Sequence, residues 1–156
     1  MHLLPPNLGV VANACGDEKI RFCVNCVRLV ISESGETYKV QATDGRMAVT
    51  VEGPLVQGVN DYPTLAVFSS APDGNKQAIV LGSFWKRTFS RAKKVLKTTV
   101  GHLRSVATKI GEEGIAMAAT NGDAAVVEKS TLVKDKFPPV DGAYPDTFNI
   151  EFHVNP

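Results

Sequence analysis

The sequence predicts an α+β domain assembled from two copies of one helix-and-strand unit. Three observations predict this class: a motif that occurs twice, strand-like stretches between turn signals, and two helix-like segments. The motif ATDGRMAVTVE at positions 42–52 returns as ATNGDAAVVEK at positions 119–129. Each copy predicts a hairpin, because Asx-Gly pairs tolerate the positive φ angles of tight turns. Neither unit could bury its apolar face alone, so we expect the two to share one core.

The first unit begins with a predicted short helix, Leu8–Cys15, which Pro5 and Pro6 precede and Gly16 ends. Its strands are stretches rich in β-branched and aromatic residues. They are predicted at Ile20–Ser32, Thr37–Thr43 and Arg46–Glu52. No strand is predicted before the helix. The alternating stretch at 148–156 is expected to complete this first unit or to begin a further domain.

The second unit follows a proline-containing connection and has an opening strand of its own. Its helix is predicted at Ser83–Lys97, with Ser83 as the N-cap residue. Its strands are predicted at Gln77–Leu81, Leu103–Ile110, Gly114–Thr120 and Asp123–Ser130. The two units therefore span about 7–64 and 77–147, within a single domain of residues 1–147.

The second predicted helix has an apolar face and a cationic face. At about 100° per residue, one arc collects the apolar side chains, which are Phe84, Trp85, Thr88, Phe89, Ala92, Val95 and Leu96. The other side carries six cations and no acid: Lys86, Arg87, Arg91, Lys93, Lys94 and Lys97. Like charges repel along a helix, and the whole chain carries only +1, so this face indicates an anionic partner.

Duplex DNA is the predicted partner of the cationic face. No aromatic side chain is expected among the cations, which disfavours stacking on single strands and favours sequence-independent contact with duplex phosphates. An acidic protein, a membrane surface or a merely solvated face are the alternatives.

The chain shows no recognisable catalytic or metal-binding motif. Cys23 and Cys26 are spaced like half of a zinc site, but strand periodicity places them on opposite faces, and there is no second pair. The odd number of cysteines argues against a secreted disulfide framework. The first residues do not resemble a signal peptide, and no stretch reaches the roughly 18 apolar residues of a membrane span. We predict a cytoplasmic, non-catalytic protein without metal or cofactor.

Three stretches resemble a domain of the bacterial sliding clamp, the beta subunit of DNA polymerase III, and its middle domain above all. They are DEKIRFCVNCVRLVIS at 17–32, YKVQATDGRMAV at 38–49 and VVEKSTLVKDKFPPVDGAYPD at 126–146. The resemblance implies an internally duplicated domain with two helices packed on one side of antiparallel sheets. It also implies a processivity factor, not an enzyme, whose ring encircles DNA and tethers replication proteins. Closing that ring requires self-association or further clamp domains.

The resemblance implies two binding surfaces. The first is a DNA-binding surface in the central hole of the ring. Its residues here are Lys86, Arg87, Arg91, Lys94 and Lys97. The second is a pocket for peptides of DNA polymerase and the clamp loader, at the positions Val24, Thr43, Gly45, Arg46 and Met47. The family's middle domain often has ATDGHRLAV where this chain has ATDGRMAV, which is one residue shorter and lacks the histidine. The alternative function is a clamp-fold scaffold that binds proteins and no DNA.

Overall fold

The structure is a computed structural model that describes residues 1–17, 23–57, 64–98 and 104–141. The strands are β1 His2–Leu4, β2 Cys26–Ile31, β3 Thr37–Thr43, β4 Ala48–Pro54, β5 Gln77–Leu81, β6 Val106–Ile110, β7 Gly114–Thr120 and β8 Ala125–Thr131. The helices are the 3₁₀ helix η1 Leu8–Ala14, the α-helices α1 Ala66–Ser69 and α2 Gly82–Val95, and the 3₁₀ turn η2 Leu96–Thr98. The strand predicted at 148–156 lies outside the described residues.

The strands form two antiparallel sheets that exchange their opening strands. One sheet has the order β4-β3-β2-β5 and the other β1-β6-β7-β8. β1 therefore pairs with β6 of the second unit, and β5 pairs with β2 of the first unit. The prediction that no strand precedes the first helix is wrong, because His2–Leu4 fills that place. Three residues are too few to show a period-2 pattern in the sequence.

The internal duplication is visible in register and in turn chemistry. Val40 pairs with Val51 in the first unit, and Met117 pairs with Glu128 at the matching positions of the second. Asp44 Oδ1 accepts two backbone N–H bonds, both at 2.8 Å, inside its hairpin. Asn121 Oδ1 accepts two in the matching hairpin, at 3.0 and 2.7 Å. The repeated sequence thus produces the same local structure twice.

These Asx bonds explain why two strands begin later than predicted. Each side-chain oxygen binds the N–H groups two and three residues ahead, so each turn occupies four residues. β4 begins at Ala48 where Arg46 was predicted, and β8 begins at Ala125 where Asp123 was predicted. The bounds predicted for β3, β5 and β7 are confirmed.

The main core lies between the two helices and the inner faces of both sheets. Its fully buried members include Leu4, Leu29, Val40, Trp85, Phe89, Leu96, Ile110 and Met117. The Trp85 indole N–H donates to the Leu8 carbonyl over 2.9 Å and so joins α2 to η1. A Cβ on Gly9 would lie 2.6 Å from the Phe89 Cβ, which shows how closely the helices approach. Both helices therefore pack on the same side of the sheets, as the resemblance implied.

The segment after each unit covers the outer face of the other unit's sheet. Phe68, on the unpredicted helix α1, packs against Leu3 and against small residues of β6 and β7. Phe137 and Val140 pack against Cys26 on the outer side of β2. α1 and the segment around Phe137 thus reduce the exposed area of the outer sheet faces. The helices lie on the other side of the sheets and form a separate surface there.

Cys23 and Cys26 lie side by side, which corrects the prediction that they face opposite ways. Their sulfurs are joined in a disulfide, and their Cα atoms are 5.6 Å apart. Strand periodicity does not apply to Cys23, because β2 begins only at Cys26 and a turn separates the two.

The N-cap prediction is also wrong. Leu81 is the N-cap residue of α2, and no side chain caps the helix.

Candidate nucleic-acid interface

The helix α2 separates its apolar and cationic faces as its sequence predicts. Phe84, Trp85, Thr88, Phe89, Ala92 and Leu96 are buried, and Val95 is half-buried. The ring centroids of Trp85 and Phe89 are 4.7 Å apart, so these i,i+4 neighbours pack as a pair. All six predicted cations are exposed: Lys86, Arg87, Arg91, Lys93, Lys94 and Lys97. Burial of the apolar face sets the orientation of the helix, and this orientation directs the cations toward solvent.

The lysines of α2 and η2 contact no carboxylate in the part of the chain that the structure describes. In the described ranges, Lys86, Lys93, Lys94 and Lys97 form no ion pair. Their side chains keep the flexibility and hydration of ordinary surface ammonium groups. An anionic partner could therefore meet four unpaired charges along about three turns of helix.

Glu128 pairs with the two arginines of this face. Arg91 donates a hydrogen bond from Nη1 to Glu128 Oε1, and Arg87 Nη2 lies 3.6 Å from Glu128 Oε2. The helix itself carries no acid on this face, and the acid beside these two arginines comes from the neighbouring sheet. Glu128 belongs to β8, and the pattern of a helix cannot reveal which strand lies beneath it. The six-cation face thus divides into four free lysines and two paired arginines.

A groove between η1 and α2 borders the free lysines. Pro6, Asn7, Gly9, Val10 and Asn13 line one wall, and Lys86, Phe89, Ser90 and Lys93 line the other. Val10 is 65% exposed, and η1 has no charged residue. One wall of the groove is therefore neutral, so attraction to an anion comes from the α2 side.

Arg104 extends the cationic surface, although the sequence pattern did not indicate it. It lines a cleft with Lys93 and Lys97 at the C-terminal end of α2. The sequence predicts a strand from Leu103 that includes Arg104, whereas β6 begins at Val106 and Arg104 is exposed before it. Because the predicted strand begins too early, it hides the fact that Arg104 lies in a loop beside the helix.

The structure brings the predicted peptide-binding residues to one place, but only some are accessible. An added Cβ on Gly16 would lie 3.2 Å from Val24 Cγ2 and 3.4 Å from the Cα of Asp44, so Val24 borders the hairpin. Val24 and Thr43 are buried. Gly45, Arg46 and Met47 are exposed, with 55% of Met47 accessible.

Thr43 shapes the hairpin from within. Its hydroxyl donates to the Met47 carbonyl over 2.6 Å and accepts from the Gly45 N–H over 3.0 Å. Gly45 has a φ of 90°, which favours glycine at this position. Thr43 and Val24 thus support the hairpin, and its tip presents Arg46 and Met47 to solvent.

No protein-family model and no curated protein sequence matches the chain. Solved structures do match. The DNA polymerase III beta chain of Streptococcus pneumoniae superposes with a TM-score of 0.60 at 14% identity, covering 94% of this chain and 33% of that one. The beta sliding clamp of C. crescentus gives 0.58 at 20% identity, covering 94% and 34%. This is the fold of a sliding-clamp domain.

The clamp fold confirms the architecture that the sequence resemblance implied. The Helicobacter pylori beta clamp, solved with a DNA ligase peptide, also matches, with a TM-score of 0.54 at 10% identity and coverage of 94% and 33%. The chain spans about a third of the length of these clamp chains. Along the described part of this clamp domain, no helix has the length and apolar character needed to cross a membrane.

Proposed function

We propose that this clamp domain is a non-catalytic sliding-clamp module that acts in the cytoplasm and holds duplex DNA through the lysines of α2 and η2. One observation carries the proposal: four exposed lysines, with no carboxylate partner among the described residues, stand on α2 and the turn η2 that follows it, and the opposite face of α2 is buried in the core. Such a surface presents positive charge at fixed positions to a rod of phosphates. It is also consistent with the clamp fold, in which the two helices share one side.

The chemistry of lysine favours loose, sequence-independent binding. An ammonium group acts as a point charge toward phosphate and lacks the planar fork with which a guanidinium binds a phosphate in fixed geometry. Each contact adds little affinity and weakens with salt, because binding releases condensed counterions. The domain would therefore slide along DNA, and retention would come from a ring closed by further clamp domains or by self-association.

We propose that the hairpin at Thr43–Met47, with Val24 beside it, receives peptides of replication proteins such as DNA polymerase and the clamp loader. The clamp of Helicobacter pylori, which has the same fold, is bound to a DNA ligase peptide. Here the exposed thioether of Met47 offers an adaptable apolar contact, and Arg46 offers a charge. The buried Val24 and Thr43 would act by holding the hairpin in shape.

The protein's thiol chemistry supports a non-catalytic role. Burial raises the pKa of the Cys15 thiol to about 11, so this thiol stays protonated at neutral pH. A protonated thiol is a poor nucleophile. Cys23 and Cys26 are joined in a disulfide and therefore hold no free thiol.

The salt dependence of DNA binding tests the proposed function. Fluorescence anisotropy with a short labelled duplex, repeated over a series of salt concentrations, gives the slope of log K against log salt. Four lysine–phosphate contacts predict a slope of about −3.6, at about −0.9 per contact. Two duplexes of unrelated sequence should give the same affinity. The absence of any binding at low salt would contradict the proposal.

A scaffold with the clamp fold but without DNA binding is the second candidate. The pairing of Arg87 and Arg91 with Glu128 favours it, as does the absence of charge on η1. The same titration separates the two candidates, because the scaffold predicts no affinity for duplex DNA at any salt concentration.

A further inference from the structure

Glu128 occupies an unusual place beneath the DNA-facing helix. Its side chain is only 11% exposed, whereas those of Arg87 and Arg91 are 52% and 58% exposed. A single carboxylate on β8 thus contacts two guanidinium groups, and that of Arg87 also lies 5.9 Å from the centre of the Phe84 ring. Its two oxygens are divided between them, with Oε1 on Arg91 and Oε2 on Arg87.

The internal duplication supplies a comparison within the same chain. Val51 occupies the position of Glu128 in the first unit, because both residues pair with the matching position of the neighbouring strand. Val51 packs at the border of the core, and the nearby helix η1 bears no cation. A valine therefore meets the packing requirement of this position. The acid occurs only in the unit whose helix carries arginines.

We propose that Glu128 is a positioning residue that holds Arg87 and Arg91 against β8 and withholds them from DNA. This inference rests on the proposed function and adds that Glu128 limits the strength of DNA binding. A free guanidinium can clamp a phosphate through two parallel hydrogen bonds, which fixes geometry as well as adding affinity. With both arginines engaged by Glu128, only point-charge lysines meet the duplex. Glu128 thus keeps the contact loose enough for sliding.

The substitution Glu128→Gln tests this assignment, because it removes the charge and nearly preserves the shape. Released arginines would add up to two phosphate contacts and steepen the slope of log K against log salt by up to about 1.8. Between about 50 and 200 mM salt, the variant would then lose up to about twelvefold more affinity than the unsubstituted protein. At low salt it should bind duplex DNA more tightly.

Glu52→Gln is the matched control, since it changes the net charge equally. Glu52 lies on β4, where its carboxylate is 3.0 Å from Lys39 of β3. The slope of log K against log salt for Glu52→Gln should equal that of the unsubstituted protein.

Glu128→Val, which restores the first unit's residue, should behave as Glu128→Gln does and serves if the glutamine variant folds poorly. In an Arg87→Gln, Arg91→Gln background, Glu128→Gln should leave the slope unchanged.

The outcomes distinguish this inference from the function on which it rests. If the unsubstituted protein does not bind DNA, both fail together. If it binds with the expected slope but Glu128→Gln matches Glu52→Gln, only the role of Glu128 is overturned. Weaker binding by Glu128→Gln would also overturn it, because that result would mean that Glu128 presents the arginines to DNA.

Discussion

At the scale of single residues, one oxygen organises each hairpin of the repeat. Asp44 in the first unit and Asn121 in the second each accept two backbone N–H bonds. Hydrogen bonds from the backbone of Met47 and Arg46 lower the pKa of the Asp44 carboxyl below its ordinary value of 3.8. Because the folded pKa is lowered, the stabilisation is complete above the ordinary pKa and is lost as pH falls through the folded value.

We therefore expect acid to weaken the hairpin of the first unit through Asp44. The measurement is the urea midpoint of the unsubstituted protein, Asp44→Ala and Asp44→Asn, at neutral pH and at about pH 3. Asp44→Ala should be less stable than the unsubstituted protein at neutral pH, and the difference should shrink in acid. Asp44→Asn, which copies the second unit, should keep its advantage over alanine at both pH values. A constant difference between aspartate and alanine would contradict this account.

At the scale of elements, the close approach of η1 to α2 sets the helix surface. Gly9 faces Phe89 with no room for a side chain. Gly9→Ala should force the helices apart and lower the free energy of unfolding by about 1–3 kcal/mol. Val10→Ala is the control on the same helix, because Val10 is exposed and should change stability by less than about 0.5 kcal/mol. Denaturant unfolding measures both, and equal effects would refute the close packing of these helices.

Sequence reasoning found the elements whose determinants are local. The hairpins follow from Asx-Gly pairs, and the two faces of α2 follow from the 3.6-residue period of its aromatic residues. It missed β1, whose strand state depends on pairing with β6, and α1, whose Phe68 is buried by residues far along the chain. It missed Glu128 for the same reason. A salt bridge between a strand and a helix depends on the tertiary fold, which no local pattern encodes.

At the scale of the whole molecule, the exchange of opening strands joins the two units. β1 and β5 each complete the sheet of the other unit, and both sheets and both helices contribute to one core. Each unit should therefore depend on the other for stability. The shared core also holds the backbone of α2 in place, so the points from which its lysine side chains extend are set by the fold.

The central claim is that the lysines of α2 and η2 hold duplex DNA, and one comparison of charge-matched triple variants tests it most directly. Lys86, Lys93 and Lys94 are changed to Gln in one variant. In the other, Lys129, Lys134 and Lys136, which are exposed outside α2, are changed to Gln. Anisotropy titrations with duplex DNA should show the slope for the first variant falling to about −0.9, the value for one remaining contact, and the slope for the second staying near −3.6. Equal losses in both variants, or none in the first, would contradict the claim.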